Sequence, residues 1–266
     1  MSPTGYREAA VGGTLVVARD AEFEALREIV AGDTIHQWAS RQPGARALQG
    51  RGVAWATRLA TGAEVVVRHS QHGGILAPLT GDIFLAPSRA PDELYAAVRL
   101  REAGIPTPEV VAYAVYSAIG PFCRADVVTA FVDGVDFPAA WAAALGSEAR
   151  DAIIDAVAAL LRVMQAAGAR HPDLNVKNVL ISQRDGAPRA LLLDVDRVHF
   201  MRVDLHSVDF VRSGHEMLGV ANARRLMASV MKWRGAHGLG VSDAHWNRLM
   251  DGAGVTSDLL RMRRAE

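Results

Sequence analysis

The chain holds a single cysteine, Cys123, in 266 residues. It can therefore build neither an internal disulfide framework nor a cysteine-based structural zinc site, and a reducing compartment suits it. It also lacks an excess of charge: 29 basic side chains stand against 29 acidic ones, a balance that argues against bulk nucleic-acid binding. No stretch reaches the roughly 18 to 20 apolar residues of a spanning helix, because charges, glycine or proline interrupt every candidate. Any membrane contact is thus expected to be peripheral. Met1 to Asp20 lacks a basic region followed by an apolar core and a small-residue cleavage site, so no signal peptide is expected and the expected location is the cytoplasm. What remains is an ordinary globular composition, half hydrophobic and 22% charged, with enough chain for one large domain or two packed lobes.

The patterning differs between front and back. Val53 to Leu59 and Glu64 to His69 read as strands joined by a Thr61-Gly62 turn, which predicts a hairpin. Asp92 to Ala103 carries Leu94, Val98 and Leu100 among charges and reads as a helix stopped at Gly104 and Pro106. Val127 to Val132 is a compact β-branched run, a buried strand entering a connector at Asp133-Gly134. From Ser147 to Ala167 the apolar residues Ile153, Ile154, Val157, Leu160, Leu161 and Met164 recur at helical spacing, with Gly168 where a C-cap belongs. Asp204 to Glu266 is mostly helical in character. The expectation is an α+β chain of two lobes, a strand-rich residues 1–130 and a helical residues 131–266.

The chemistry concentrates in His171-Pro172-Asp173-Leu174-Asn175-Val176-Lys177-Asn178 and in Leu191-Leu192-Leu193-Asp194-Val195-Asp196. The runs Val179 to Ser182 and Ala190 to Leu193 flank an Asp185-Gly186 turn and Pro188, so they should pair as an antiparallel hairpin. Asn178, just before the first strand, and Asp194, just after the second, then emerge side by side. An amide oxygen and a carboxylate placed together are hard ligands that suit Mg²⁺ with phosphate oxygens and water. Asp173 in the same loop faces that pair. This is what phosphoryl transfer requires: a positioned hydroxyl, a carboxylate to take its proton, and cations over the developing phosphate charge. The spacing resembles the protein-kinase catalytic loop H-R-D-L-x-x-x-N followed by D-F-G, with Asp194-Val195-Asp196 keeping only the aspartate of the latter. A buried hairpin with capping Asp and Asn residues accounts for a lone HxD, less readily for three such residues in register. His171 reads as a brace for the loop, since Asp173 already takes the place of the base.

The front half is expected to supply a phosphate clamp. Gly50-Arg51-Gly52 precedes a strand and has the form of a turn that lets backbone N–H groups approach phosphates, although a plain surface turn has the same sequence. Glu64 to Arg68 ends in a cation where kinases carry the lysine of V-A-I-K, and Glu93 lies on the next helix where its partner belongs. Arginine for lysine is not a neutral exchange, because a guanidinium forks where an ammonium is a point charge.

Several stretches, in order, resemble the bacterial lipopolysaccharide kinases and within them the kinases of 3-deoxy-D-manno-octulosonic acid (Kdo). Arg68-His69 with Gly73-Gly74 is similar to R-H-x-x-x-G-G, and Gly104-Ile105-Pro106-Thr107-Pro108 to A-G-L-P-x-P. Arg124-Ala125-Asp126 resembles R-A-D. His171 to Asn178 resembles H-x-D-L-N-x-x-N, and Asn222, Arg225-Leu226 and Ser229 resemble N-x-x-R-L-x-x-S. The resemblance spans roughly residues 50–235. It implies a protein-kinase-like two-lobed fold and transfer of the ATP γ-phosphate to a Kdo hydroxyl on a lipid A precursor, at the cytoplasmic face of the inner membrane. It further implies Asp173 as the base, Asn178 and Asp194 as Mg²⁺ ligands, and Arg68 with Glu93 at the ATP phosphates. Gln71 and His72 depart from the family's basic residues there, so contacts near the Gly73-Gly74 turn are open. A lipid-linked acidic acceptor also implies basic residues toward an anionic membrane, with Arg224, Arg225, Lys232, Arg234, Arg261, Arg263 and Arg264 as candidates. Two alternatives stay open: a kinase of another sugar or small molecule, and a nucleotide-binding pseudokinase. A protein kinase is disfavoured, because no A-P-E follows Asp194.

Overall fold

A computed structural model describes residues 2–49, 52–71, 82–184, 186–201 and 208–255, with the side chains of residues 49, 184 and 208–213 outside that description. Gly50, Arg51, His72, Gly73, Gly74, Asp185, Asp204, Arg261, Arg263 and Arg264 therefore lie outside the described residues. The chain forms two compact units, residues 1–98 with 108–131, and residues 99–107 with 132–266.

The first unit is built on one antiparallel sheet. Its strands are β1 (Tyr6–Val11), β2 (Thr14–Arg19), β3 (Arg46–Gln49), β4 (Val53–Arg58), β5 (Glu64–His69), β6 (Phe84–Leu85), β7 (Val110–Ser117) and β8 (Phe122–Ala130), in the order β1-β2-β7-β8-β5-β4-β3 with β6 against β8. The anticipated hairpin is β4 with β5, paired Ala54 to Arg68 through Arg58 to Glu64. Alternation in β5 puts Val65 and Val67 into the core with Val16 and Val128. Helices α1 (Phe23–Val30) and α2 (Ile35–Ser40) cover that core with Phe23, Leu26, Val30 and Ile35. The front is thus less purely stranded than its sequence suggested, since the apolar spacing 23, 26, 30 is helical. Thr34 caps α2 by accepting from the Gln37 N–H at 3.2 Å, a bond of the kind that contributes about 1 kcal/mol. The strand expected at Val127 to Val132 begins earlier, at Phe122, because β8 alternates Cys123 and Ala125 inward before its apolar run.

Helix α3 (Ala90–Glu102) leads into the second unit, where β9 (Val135–Asp136), α4 (Phe137–Ala143) and α5 (Gly146–Ala166) follow. α5 buries Ile153, Ile154, Val157, Leu160, Leu161 and Met164, the stripe its spacing predicts. It ends at Gly168, which has φ +63°, and a Cβ there would stand 2.6 Å from His215 Nε2. After β10 (Ala169–Arg170) come the loop of residues 171–178, β11 (Val179–Arg184), β12 (Ala187–Leu192) and β13 (His199–Phe200). The long α6 (Val208–His237) and α7 (Asp243–Ala253) complete the unit. No helix among the described residues is long and apolar enough to cross a membrane.

Candidate functional site

The predicted hairpin is present: β11 and β12 pair from Val179 with Leu192 to Arg184 with Ala187. The ladder extends one step further, since the Leu193 N–H donates to the Asn178 carbonyl at 2.9 Å. Asn178 and the chain entering Asp194 are thereby held across from one another. Residues 106 and 107 fix the hairpin end: Leu192 N–H donates to the Pro106 carbonyl at 2.8 Å, and the Thr107 hydroxyl donates to the Leu192 carbonyl at 2.9 Å. Asp194 has φ 57° and ψ 54°, and it is the one non-glycine residue with positive φ among the described residues. Such a conformation costs on the order of 1 kcal/mol for an aspartate and persists where its surroundings impose it.

The loop itself is a web of local bonds. The Asn178 amide Nδ2 donates to the Asp173 carbonyl at 3.1 Å, and so does Asn175 Nδ2. Asn178 therefore has its amide nitrogen engaged, which leaves its Oδ1 as the atom suited to a cation. His171 is 1% exposed. Its Nδ1 accepts from the Asp173 N–H at 3.2 Å, so the ring proton sits on Nε2, which faces the Leu193 carbonyl at 3.3 Å. Burial pushes its pKa below the ordinary histidine value, against the pull of the Leu193 carbonyl and of Asp194, Asp173 and Asp196. His171 is a neutral brace between the Asp173 and Asp194 segments, as its setting in the sequence suggested.

The sequence offered Asn222, Arg225 and Ser229 of α6 only as a resemblance to N-x-x-R-L-x-x-S, with Arg225 a candidate membrane contact, and did not show that they carry this loop. Asn222, 1% exposed, accepts from the His171 N–H at 3.0 Å and donates to the Ala169 carbonyl at 2.8 Å. Ser229 accepts from the Val176 N–H at 3.1 Å. Arg225 donates from Nε to the Pro172 carbonyl at 3.1 Å and from Nη2 to Asp173 Oδ1 at 2.7 Å. The three lie on one face of the helix at i, i+3 and i+7. The signal was there as polar residues recurring at helical spacing between the buried Ala223, Leu226 and Val230. Arg225 is thus turned onto the loop, while Lys177 pairs with Asp136 at 2.5 Å and lies over the Trp233 ring.

In the first unit Arg68 and Glu93 form an ion pair, with the Glu93 carboxylate nearly buried and Arg68 39% exposed. Next to Arg68, His69 bonds from Nδ1 to Asp126 Oδ1 at 2.5 Å and from Nε2 to Asp82 Oδ2 at 2.9 Å. With a carboxylate on each ring nitrogen both nitrogens donate, and the ring is an imidazolium. Its pKa is raised, chiefly by the Asp126 hydrogen bond and against burial. Asp126 is fully buried and also accepts from the Tyr116 hydroxyl and the His36 N–H, at 2.8 and 2.9 Å. Arg124 closes the network on Asp82 at 2.8 Å. Gly52 lies where a Cβ would meet the Gln71 amide at 2.7 Å, while its companion Gly50 is outside the described residues.

The second unit brings together oxygens of the hard type, the Asn178 amide and the Asp194 carboxylate, with a second carboxylate at Asp173 in the same loop. Two protein oxygens suit Mg²⁺, which keeps its other positions for phosphate and water, better than a metal that demands an all-protein cage. No group of three or more His, Cys, Asp and Glu forms a metal cage among the described residues.

Comparison with known proteins agrees with this geometry. The profile of the lipopolysaccharide kinase (Kdo/WaaP) family matches residues 36–207. The chain is similar to a 3-deoxy-D-manno-octulosonic acid kinase of Pasteurella multocida, 26% identical over 56% of this chain and 64% of the relative, so the match spans just under two thirds of that relative's length. It is also similar to a 3-deoxy-D-manno-octulosonic acid kinase of Actinobacillus succinogenes, 27% identical over 77% of this chain and 82% of the relative. Among solved structures, WaaP in complex with acyl carrier protein superposes with a TM-score of 0.54 over 97% of this chain and 94% of that one, at 17% identity. The fold is accordingly α+β and protein-kinase-like.

Proposed function

The chain belongs to the lipopolysaccharide kinase (Kdo/WaaP) family, and from that premise we propose that it transfers the γ-phosphate of ATP to a hydroxyl of Kdo on a lipid A precursor. The observation that carries this reading is the joining of Asp173, Asn178 and the Asp194 turn through one hairpin and one loop, braced by a neutral His171.

Asp173 is the proton acceptor. Its Oδ1 is fixed by Arg225, which orients the carboxylate toward an incoming sugar hydroxyl. As the hydroxyl oxygen bonds to the γ-phosphorus, its proton passes to the Asp173 carboxylate and the bond from phosphorus to the bridging β-phosphate oxygen breaks, releasing ADP. Asn178 and Asp194 are the ligands that would hold Mg²⁺, which when bound neutralises charge on the phosphates. Arg68, held by Glu93, is assigned to the ATP phosphates, and Gly50 and Gly52 to backbone contact with them. On this reading the first unit is the nucleotide-phosphate unit and the second the catalytic one. A lipid-linked acceptor places the work at the cytoplasmic face of the inner membrane, with Arg224 and Lys232 as candidate contacts to anionic lipid.

The deciding experiment is an ATP transfer assay on a Kdo-bearing lipid A precursor, run beside free neutral sugars and a generic protein, with wild type and Asp173→Ala. Transfer to the lipid acceptor alone is expected, falling about 10²- to 10⁴-fold in Asp173→Ala. Transfer to a neutral sugar instead would reassign the acceptor. ATP binding with no metal-dependent turnover on any acceptor would favour the pseudokinase, the reading that arginine at position 68 in place of lysine leaves in play.

A further inference from the structure

The guanidinium of Arg225 is a cation set directly on the carboxylate assigned as the base, and it has capacity left over. Its side-on edge is occupied, Nε by the Pro172 carbonyl and Nη2 by Asp173 Oδ1. Its end-on edge, the Nη1 hydrogens and the outer Nη2 hydrogen, has no protein partner among the described residues, and the side chain is 46% exposed. Guanidinium forks match carboxylates bidentately, with two parallel N–H···O bonds. We propose that Arg225 is a specificity-determining residue whose open edge takes the carboxylate of an acidic sugar acceptor while Asp173 takes the proton of its hydroxyl. The inference rests on the phosphotransferase reading above.

The geometry suits that double use. Two charge-assisted bonds in sequence, acceptor carboxylate to Arg225 and Arg225 to Asp173, place the two carboxylates roughly 5–6 Å apart, the span from an acid group to a hydroxyl on one sugar ring. The guanidinium also screens the acceptor's negative charge from Asp173, which would otherwise repel it. The Lys177 ammonium is tied to Asp136, whereas the Arg225 guanidinium is set on the Asp173 carboxylate. The loop is held independently of Arg225 by Asn222 and Ser229, which keeps the arginine available for a ligand.

The test compares two acceptors, the Kdo-bearing precursor and the same molecule with its carboxylate reduced to a primary alcohol, in wild type, Arg225→Gln and Arg225→Lys. The wild type should prefer the acid by about 10- to 100-fold in kcat/KM. Arg225→Gln should bring that ratio to within about threefold of unity, chiefly through the KM for the acid, and leave the KM for ATP within about twofold. Arg225→Lys, which keeps the charge without the fork, should fall between. Thermal unfolding of each variant separates misfolding from lost recognition. If Arg225→Gln slows both acceptors equally and keeps the preference, Arg225 only orients Asp173 and the inference is overturned. If the wild type phosphorylates neither acceptor while hydrolysing ATP in a metal-dependent way, the acceptor reading fails, and the inference fails with it.

Discussion

Each unit of the chain sets a histidine beside aspartates, one held as an imidazolium and the other neutral. In the first unit His69 is clamped between Asp126 and Asp82, with Arg124 on the far side, a network in which two cations match two anions. In the second unit His171 meets a backbone N–H and a backbone carbonyl, and burial keeps it neutral although Asp173, Asp194 and Asp196 lie near. The difference follows from what each neighbourhood must present. On the proposed reading, an imidazolium at position 171 would set a positive charge beside the carboxylates assigned to the metal and the acceptor hydroxyl. At position 69 the charge balances an aspartate that is fully buried and would otherwise stand unpaired, a cost of several kcal/mol.

The comparison breaks most sharply at Asp194, the carboxylate that the proposed reading assigns to a cation. Its backbone already occupies the left-handed region, where glycine is unstrained and aspartate is not. Asp194→Gly should therefore abolish transfer by at least about 100-fold, the scale on which even outer-shell metal partners act, while leaving stability unchanged or raised by up to about 1 kcal/mol. Steady-state kinetics with urea unfolding checks both halves. A stability loss beyond about 1 kcal/mol would mean that the carboxylate holds the fold instead.

The juxtaposition of Asn178 with the chain entering Asp194 was legible in the sequence because it is local: turn formers at Asp185-Gly186 and apolar runs of matched length put the two at the same end of one hairpin. The helix α5 was legible from its stripe alone. The bonds of Asn222, Arg225 and Ser229 to the loop were not legible because their partners lie about fifty residues away, and helical spacing tells which residues share a face but not what the face meets. The His69 network was hidden for the same reason. Its core is the cross-strand register of His69 with Asp126 in β5 and β8, which no local pattern encodes.

The two histidines also predict opposite limbs of a stability curve. The folded pKa of His69 lies above its unfolded value near 6.5, so its contribution is whole below that pH and disappears as pH rises through the raised folded value. The folded pKa of His171 lies below, so its contribution is whole above about 6.5 and is lost as pH falls through the lowered folded value. Stability should be highest between the two. His69→Gln is expected to flatten the alkaline limb and His171→Gln the acid limb, read by urea unfolding at a series of pH values. Imidazole titration by NMR should place the two rings on either side of the ordinary value, and titration of both on the same side would erase the contrast.

The smallest expected effect concerns Arg68, which stands in the first unit where the protein-kinase V-A-I-K motif carries its lysine. Glu93 is nearly buried and accepts from this guanidinium, so a neutral residue at position 68 would take that cation from it. Lysine would not, because an ammonium on the same strand keeps the pairing while giving up the planar fork. Arg68 is also partly solvated, which discounts the pair as a source of stability to about 1 kcal/mol or less. Arg68→Lys should accordingly leave unfolding within about 1 kcal/mol of wild type and shift the KM for ATP by less than about tenfold, with kcat for the lipid acceptor little changed. A kcat that collapses in Arg68→Lys would mean that the fork acts in the transition state and that charge in the first unit is matched for chemistry as well as for folding.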